Sequence, residues 1–333
     1  MKENNINKKS IYIKIFQVPW ISILIGAVFL AVLLSILQSA FFSIVNFKNI
    51  FLAASIIGIM AIGETFVIMS GGIDISVAMN VFLMMSIMSE AEKYLPAPVV
   101  LIIGIIGGTS LGVLSGFLVS KLKIPPLIAT LATLAIARGF GYFIIQSKMR
   151  AVDESIRVLG TTQVFGIPLP IIIMVIMLII GHILLQKTRF GRYALAIGDD
   201  EISSRESGIP IDKIKFLTYA FSGFCAGLAS LVFIGRLGTV QTDTAYGMEF
   251  QVITAVVLGG TKLVGGKGTV IGAFIGALFL TLIENGLNLV ELNIFYYDIA
   301  RGLILFIAVV IDKVSYNRKQ RALIMERAMH IRT

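Results

Sequence analysis

Runs of about 20 apolar residues recur from Trp20 to about residue 312, and most charges fall in the gaps between them. A helix of that length rises about 30 Å, the thickness of a bilayer's hydrocarbon core. Backbone groups facing lipid must be satisfied within their own segment, so such runs are helices. Charged residues make up 14% of the chain, against about 25% in an ordinary soluble domain. The sequence reads as an all-α polytopic membrane protein. Spans fall at 20–45, 50–70, 74–93, 97–120, 126–146, 168–186, 215–236, 248–261, 268–286 and 298–312, about ten transmembrane helices. The eighth is short for a crossing and reads as re-entrant or broken. These bounds give a tail at 1–19, a transmembrane domain at 20–312 with a long loop at 187–215, and a tail at 313–333.

The charges orient the spans. With the N-terminus inside, the inside segments are 1–19, the turn at Lys121 and Lys123, the 187–215 loop, the turn at Lys262 and Lys267, and the tail from Lys313. They hold roughly 20 of the 28 basic residues, as retention of Lys and Arg on the cytoplasmic side requires. Both tails are then cytoplasmic. The same rule accounts for the net charge of +9 without nucleic acid as a partner. The apolar stretch from Ile21 to Ile44 lacks a small-residue cleavage pattern and is read as an uncleaved first helix. Cys225 is the one cysteine, and His182 and His330 stand apart, so no disulfide or metal pattern exists. No nucleophile–base arrangement or redox motif is visible. The chain is expected to be non-catalytic, with no cofactor of its own.

Two short echoes point to internal duplication. "GTSLGVLSG" begins at Gly108 and "GTVIGAFIG" at Gly268; "IARG" occurs at 136–139 and at 299–302. The matched helices run in opposite directions in this topology, as in an inverted internal repeat. Gly112, Gly116, Gly272 and Gly276 would let helix backbones approach closely.

Three segments break the apolar pattern. In "GGIDISV", Gly71 and Gly72 end the second helix, and Asp74, assisted by Ser76, suits the start of the next by accepting its orphan N–H groups. Irregular backbone and a carboxylate at membrane depth equally fit a functional path. "VLGGTKLVGGKG" is a second glycine break, at Gly259, Gly260, Gly265 and Gly266. Its glycines do not make a phosphate loop, because Gly268 separates Lys267 from Thr269. In "DDEISSRESGIP", Asp199 or Asp200 can cap a helix of about seven residues that Gly208 stops and Pro210 follows. So short a helix needs packing to persist. It is either a solvated loop or a docking knob for a cytoplasmic partner. Glu64, Arg138, Arg236, Glu249, Glu284 and Arg301 lie in or near spans, where each could pair, snorkel or line a path.

Together "TFVIMSGGIDISV" (65–77), "PPLIATLATLAIARG" (125–139), "TRFGRYALAIGDDEISSRESGI" (188–209), "AVVLGGTKLVGGKGTVIGAFIGAL" (255–278) and "NGLNL" (285–289) carry a resemblance. From about residue 50 to 312 the chain resembles the sugar-type permease subunits of bacterial ATP-binding-cassette (ABC) importers, the ribose permease group. Branched-chain amino-acid permeases share a looser version of the pattern. The resemblance implies a bacterial cell-membrane subunit paired with a second permease copy or a sibling. It also implies a cytoplasmic ABC ATPase that binds the ATP and Mg, and an extracytoplasmic solute-binding protein. It places the coupling helix in the 190–209 loop, with Asp199, Asp200, Glu201, Ser203, Ser204, Arg205 and Gly208 in the matching segment. Gly71, Gly72, Asp74 and Ser76 carry over as a family signature. Ala78, Asp200 and Gln251 depart from residues common there, namely Gly, Asn and an acid. A stand-alone secondary transporter, a membrane-embedded sensor subunit, and a permease for branched-chain amino acids or nucleosides are the competing readings.

Overall fold

The structure is a computed structural model. It describes residues 19–146, 148–290, 296–297, 299–310 and 314; apart from residues 19 and 314, both tails lie outside the described residues. Helix α1 is Pro19–Leu37, and a 3-10 turn at Ser39–Phe42 leads into α2, Ile44–Met69. The single span expected at 20–45 is therefore cut at Leu37. The Ser43 hydroxyl accepts the Asn46 N–H at 3.1 Å and starts the next helix six residues earlier than residue 50. Then come α3 (Val77–Ala91), α4 (Ala97–Ser120) and α5 (Pro126–Ile145). Strand β1 (Arg150–Ala151), helix α6 (Glu154–Thr161) and the hairpin β2–β3 (Gln163–Val164, Ile167–Pro168) precede α7, Leu169–Lys187. The 187–215 loop is largely helical: α8 is Arg189–Asp199, α9 is Glu201–Glu206, and α10 starts at Ile211 and runs to Leu237. Strand β4 (Thr239–Val240) pairs antiparallel with β1, and α11 (Met248–Leu258), α12 (Val270–Leu289) and α13 (Ile299–Val310) complete the chain.

Among the described residues, seven helices are long and apolar enough to cross a bilayer, and α3, α11 and α13 are shorter apolar helices. The ten agree with the ten expected spans. Fifteen-residue α3 rises about 22 Å and 11-residue α11 about 16 Å, less than a bilayer core.

Buried α2 forms the centre with α10. In their most apolar windows 83% and 67% of residues are buried, against 11% for α1 and 22% for α4. Glycines bring α4 against α10: a Cβ on Gly108 would stand 2.5 Å from the Gly227 Cα, and Gly112 meets Gly223. At one end of the bundle lie α8, α9, the Lys121–Lys123 turn and the segment between α11 and α12. These are the described basic segments assigned to the inside. The other end holds α6, the β1–β4 pair and reciprocal amide bonds between Asn46 and Asn285 (3.0 and 2.7 Å), which tie α2 to α12.

α4 packs on α10 as α12 packs on α2. The echoed IARG motifs do not occupy matching positions along their helices. Arg138 lies in the second half of α5, whereas Arg301 lies at the start of α13. Their surroundings differ accordingly: Arg138 bonds Tyr142, and Arg301 pairs with Glu284 at 2.8 Å.

Candidate coupling junction

Helix α2 ends in a Schellman motif. Gly72 N–H donates to Val67 C=O and Gly71 N–H to Ile68 C=O, both at 3.0 Å. Gly71 takes φ +79°, and a Cβ on Gly72 would stand 2.5 Å from the Tyr219 hydroxyl. Asp74 is 2% exposed. Its Oδ1 accepts the Ser76 N–H at 2.9 Å and the Ser76 hydroxyl at 2.5 Å, and its Oδ2 accepts the Ser222 hydroxyl at 3.3 Å. The expected cap is corrected in detail. Asp74 closes an Asx-type turn onto the residue before α3, and the Ser76 hydroxyl, engaged with Asp74, makes no cap bond of its own. Glu64 is fully buried and accepts the Asp74 N–H at 3.0 Å. Tyr219 on α10 and Thr130 on α5 both donate to Ile73 C=O at 3.4 Å. The break is thus pinned by the two helices flanking it.

The second break repeats the device. Gly260 (φ +88°) donates to Val257 C=O at 2.9 Å and Thr261 to Val256 C=O at 3.2 Å, with Gly259 as the helix cap. Gly259 also packs on Gly272 of α12. Gly265 and Gly266, both at positive φ, carry the chain back toward α2, where Gly266 N–H donates to Met69 C=O at 3.1 Å.

Asp200, and not Asp199, caps α9. Its Oδ1 accepts from Ile202 N–H at 2.9 Å and Ser203 N–H at 3.1 Å, and its Oδ2 from the Ser203 hydroxyl at 2.8 Å. These donors, the Ser203 hydroxyl foremost, hold the Asp200 carboxyl below the usual carboxylate range. Glu201 pairs with Lys215 at 2.6 Å and with Arg205 at 3.1 Å. The Lys215 bond, before the Arg205 one, draws the Glu201 carboxyl down as well. Ser204 is buried; Gly208 (φ +76°) and Ile209 close a third Schellman motif, bonding Arg205 and Ser204 carbonyls.

The three segments meet at Gly198, the residue before Asp199. A Cβ on Gly198 would overlap the Met69 carbonyl oxygen and stand 2.5 Å from the Gly266 nitrogen. A Cβ on Gly266 would stand 2.8 Å from the Asp199 Cα, and one on Gly265 2.8 Å from the Gly198 Cα. The end of α2, the second break and the corner leading into α9 are therefore in backbone contact. Phe190 of α8 stacks on Phe66 of α2, ring centroids 5.3 Å apart, and steadies the corner.

Residues 46–309 match the family described as branched-chain amino acid transport system / permease component. The chain belongs to this permease family. The permease is 38% identical to the ribose import permease protein of Haemophilus influenzae over 305 residues, covering 89% of this chain and 93% of that one. It is 37% identical to the L-arabinose transport system permease protein of Escherichia coli K12 (84% and 86% covered). It is 34% identical to the autoinducer 2 import system permease protein of Photorhabdus luminescens (88% and 89%). No solved structure matches the permease.

Sequence pattern singles out neither Gly198 nor Ile202. Ile202 is 73% exposed at the tip of α9, an apolar side chain on an otherwise polar helix. Its signal was present as the one large apolar residue inside "DDEISSRES". Of the in-span ionisable residues, Glu64 joins the first break. Glu284 bonds Arg301 and Gln251, and Arg236 lies half-buried in the last turn of α10.

Proposed function

We propose that this multi-pass membrane protein is the permease subunit of an ABC importer that moves a sugar or sugar-like solute inward. A cytoplasmic ATPase drives it, and an extracytoplasmic solute-binding protein feeds it. In this reading the α9 end is cytoplasmic and both tails lie on that side, where a second permease copy or sibling completes the pair. The observation that carries the reading is the backbone junction at Gly198. The corner leading into the capped helix that presents Ile202 outward is in direct contact with both breaks. Relatives named for ribose, L-arabinose and autoinducer 2 import support the solute class.

Mechanically, ATP binding draws the paired ATPases together and pushes on α9. The α8–α9 corner bears on Met69 and Gly266, so the ends of α2 and α11 move with it, and the bundle changes the side on which it is open. No chemistry is done on the solute. The test is Ser204→Pro, assayed with the ATPase and binding protein in vesicles. Proline removes the Ser204 N–H bond to Asp200 C=O (3.1 Å) and breaks the helix. ATP hydrolysis without solute uptake is expected; normal uptake would overturn the reading, as would ion-driven flux through the chain alone.

A further inference from the structure

Two of the in-span charges outside the junction, Arg138 and Glu249, both adjoin the Tyr246 turn. Arg138 lies 12 residues beyond the start of α5 at Pro126, about 18 Å along the helix and toward the end away from α9. Its Nε donates to the Tyr142 hydroxyl at 2.9 Å. Its guanidinium lies over two rings, 5.3 Å from the Tyr142 centroid and 5.4 Å from that of Tyr246. Phe82 backs Tyr142 edge-on at 5.5 Å. The two terminal nitrogens of Arg138 have no protein partner among the described residues. Glu249, in the first turn of α11, is 8% exposed, and its Oε2 is buried without a hydrogen-bond partner. Among the described residues no ion pair closes between it and Arg138. Gly247, at φ +76°, turns the chain so that Tyr246, 60% exposed, stands beside both.

The outer face of α5 is otherwise suited to lipid: Ile136, Phe140 and Phe143 are all exposed. A guanidinium on that helix is tolerated beside water or a polar path and not in hydrocarbon. We propose that Arg138, Tyr246 and Glu249 form a contact for a sugar on the outward side of the permease, deepening the importer reading on which it rests. The free carboxylate oxygen accepts a solute hydroxyl, and the guanidinium donates to a neighbouring one. The exposed tyrosine ring covers the apolar C–H face of the sugar.

The test uses the full-length permease in lipid nanodiscs with D-ribose and L-arabinose as probes and L-leucine as control, read by saturation-transfer NMR. A pentose signal is expected, reduced at least tenfold by Glu249→Gln and by Tyr246→Ala. Glu249→Gln keeps size and shape, and thermal unfolding of each variant checks that it is folded. No pentose signal, a signal indifferent to both variants, or a leucine signal in its place would overturn the assignment. ATP-driven pentose uptake in vesicles separates the two levels. Uptake that both variants leave intact overturns the contact and keeps the importer; no uptake of either pentose by the natural protein overturns the sugar-importer reading itself.

Discussion

Replacing Gly198 by alanine adds one methyl group at the point where three backbone segments touch. Two opposing effects set its consequence. Alanine favours the α8 helix by about 1 kcal/mol over glycine. The new Cβ, however, overlaps the Met69 carbonyl and comes within 2.5 Å of the Gly266 nitrogen. Those neighbours are backbone atoms and cannot rotate away. Overpacking of this kind typically costs about 1–3 kcal/mol, and losing the Gly266–Met69 hydrogen bond (3.1 Å) adds about 1 kcal/mol. The overlap wins, with a net loss of about 1–3 kcal/mol at the junction, roughly 5- to 150-fold in its closed-to-open ratio. The α9 cap and the exposed Ile202 lie beyond the overlap. ATPase capture by Gly198→Ala should therefore stay within twofold of the natural protein, while ATP-driven uptake falls at least fivefold and the thermal unfolding midpoint drops. Unchanged uptake together with an unchanged midpoint would refute the argument that contact at Gly198 carries the coupling.

Ile202→Asp is expected to abolish capture of the ATPase without altering the unfolding midpoint, because the side chain is exposed and supports nothing in the chain itself. Gly71→Ala forces a Cβ into φ +79°, a penalty of about 1–2 kcal/mol, and should lower the midpoint. The Glu201 carboxyl is depressed in the folded chain, so its contribution is complete above the ordinary glutamate value of about 4.3 and is lost as pH falls through the lower folded value. Hydrogen exchange over 201–206 should therefore differ between the natural protein and Glu201→Gln at neutral pH and converge in acid; a difference that persists in acid would refute the pairing with Lys215.

Much of this architecture is written locally. Uniformly apolar segments such as α2 declare themselves, and the described basic residues of the inside segments gather at one end of the bundle as the charge rule requires. The Asp200 cap and the Gly208 stop are equally local, since each is a side chain or a φ angle acting within three residues. The misses share a physical cause. Helix α8 is short and amphipathic with Arg189 and Arg192 on it, so by hydropathy it resembles a loop. The break at Leu37 depends on a serine cap inside an apolar run, which composition does not register. The echoed IARG motifs sit at different points along their helices, so Arg138 and Arg301 have different neighbours. Gly198 is significant only because Met69 and Gly266, distant in sequence, arrive beside it.

That meeting of glycines also bears on how the protein is read by genetics. Positions 198, 265 and 266 admit almost no side chain, and their contacts are with backbone rather than with solute. A random-mutation screen for lost uptake would return them as densely as residues that touch the cargo. Uptake alone would draw a second, false binding site near the α9 end of the bundle. Adding a screen for retained ATPase capture would sort the two groups: variants that still hold the motor but no longer answer to it map the transmission, and the remainder map the path.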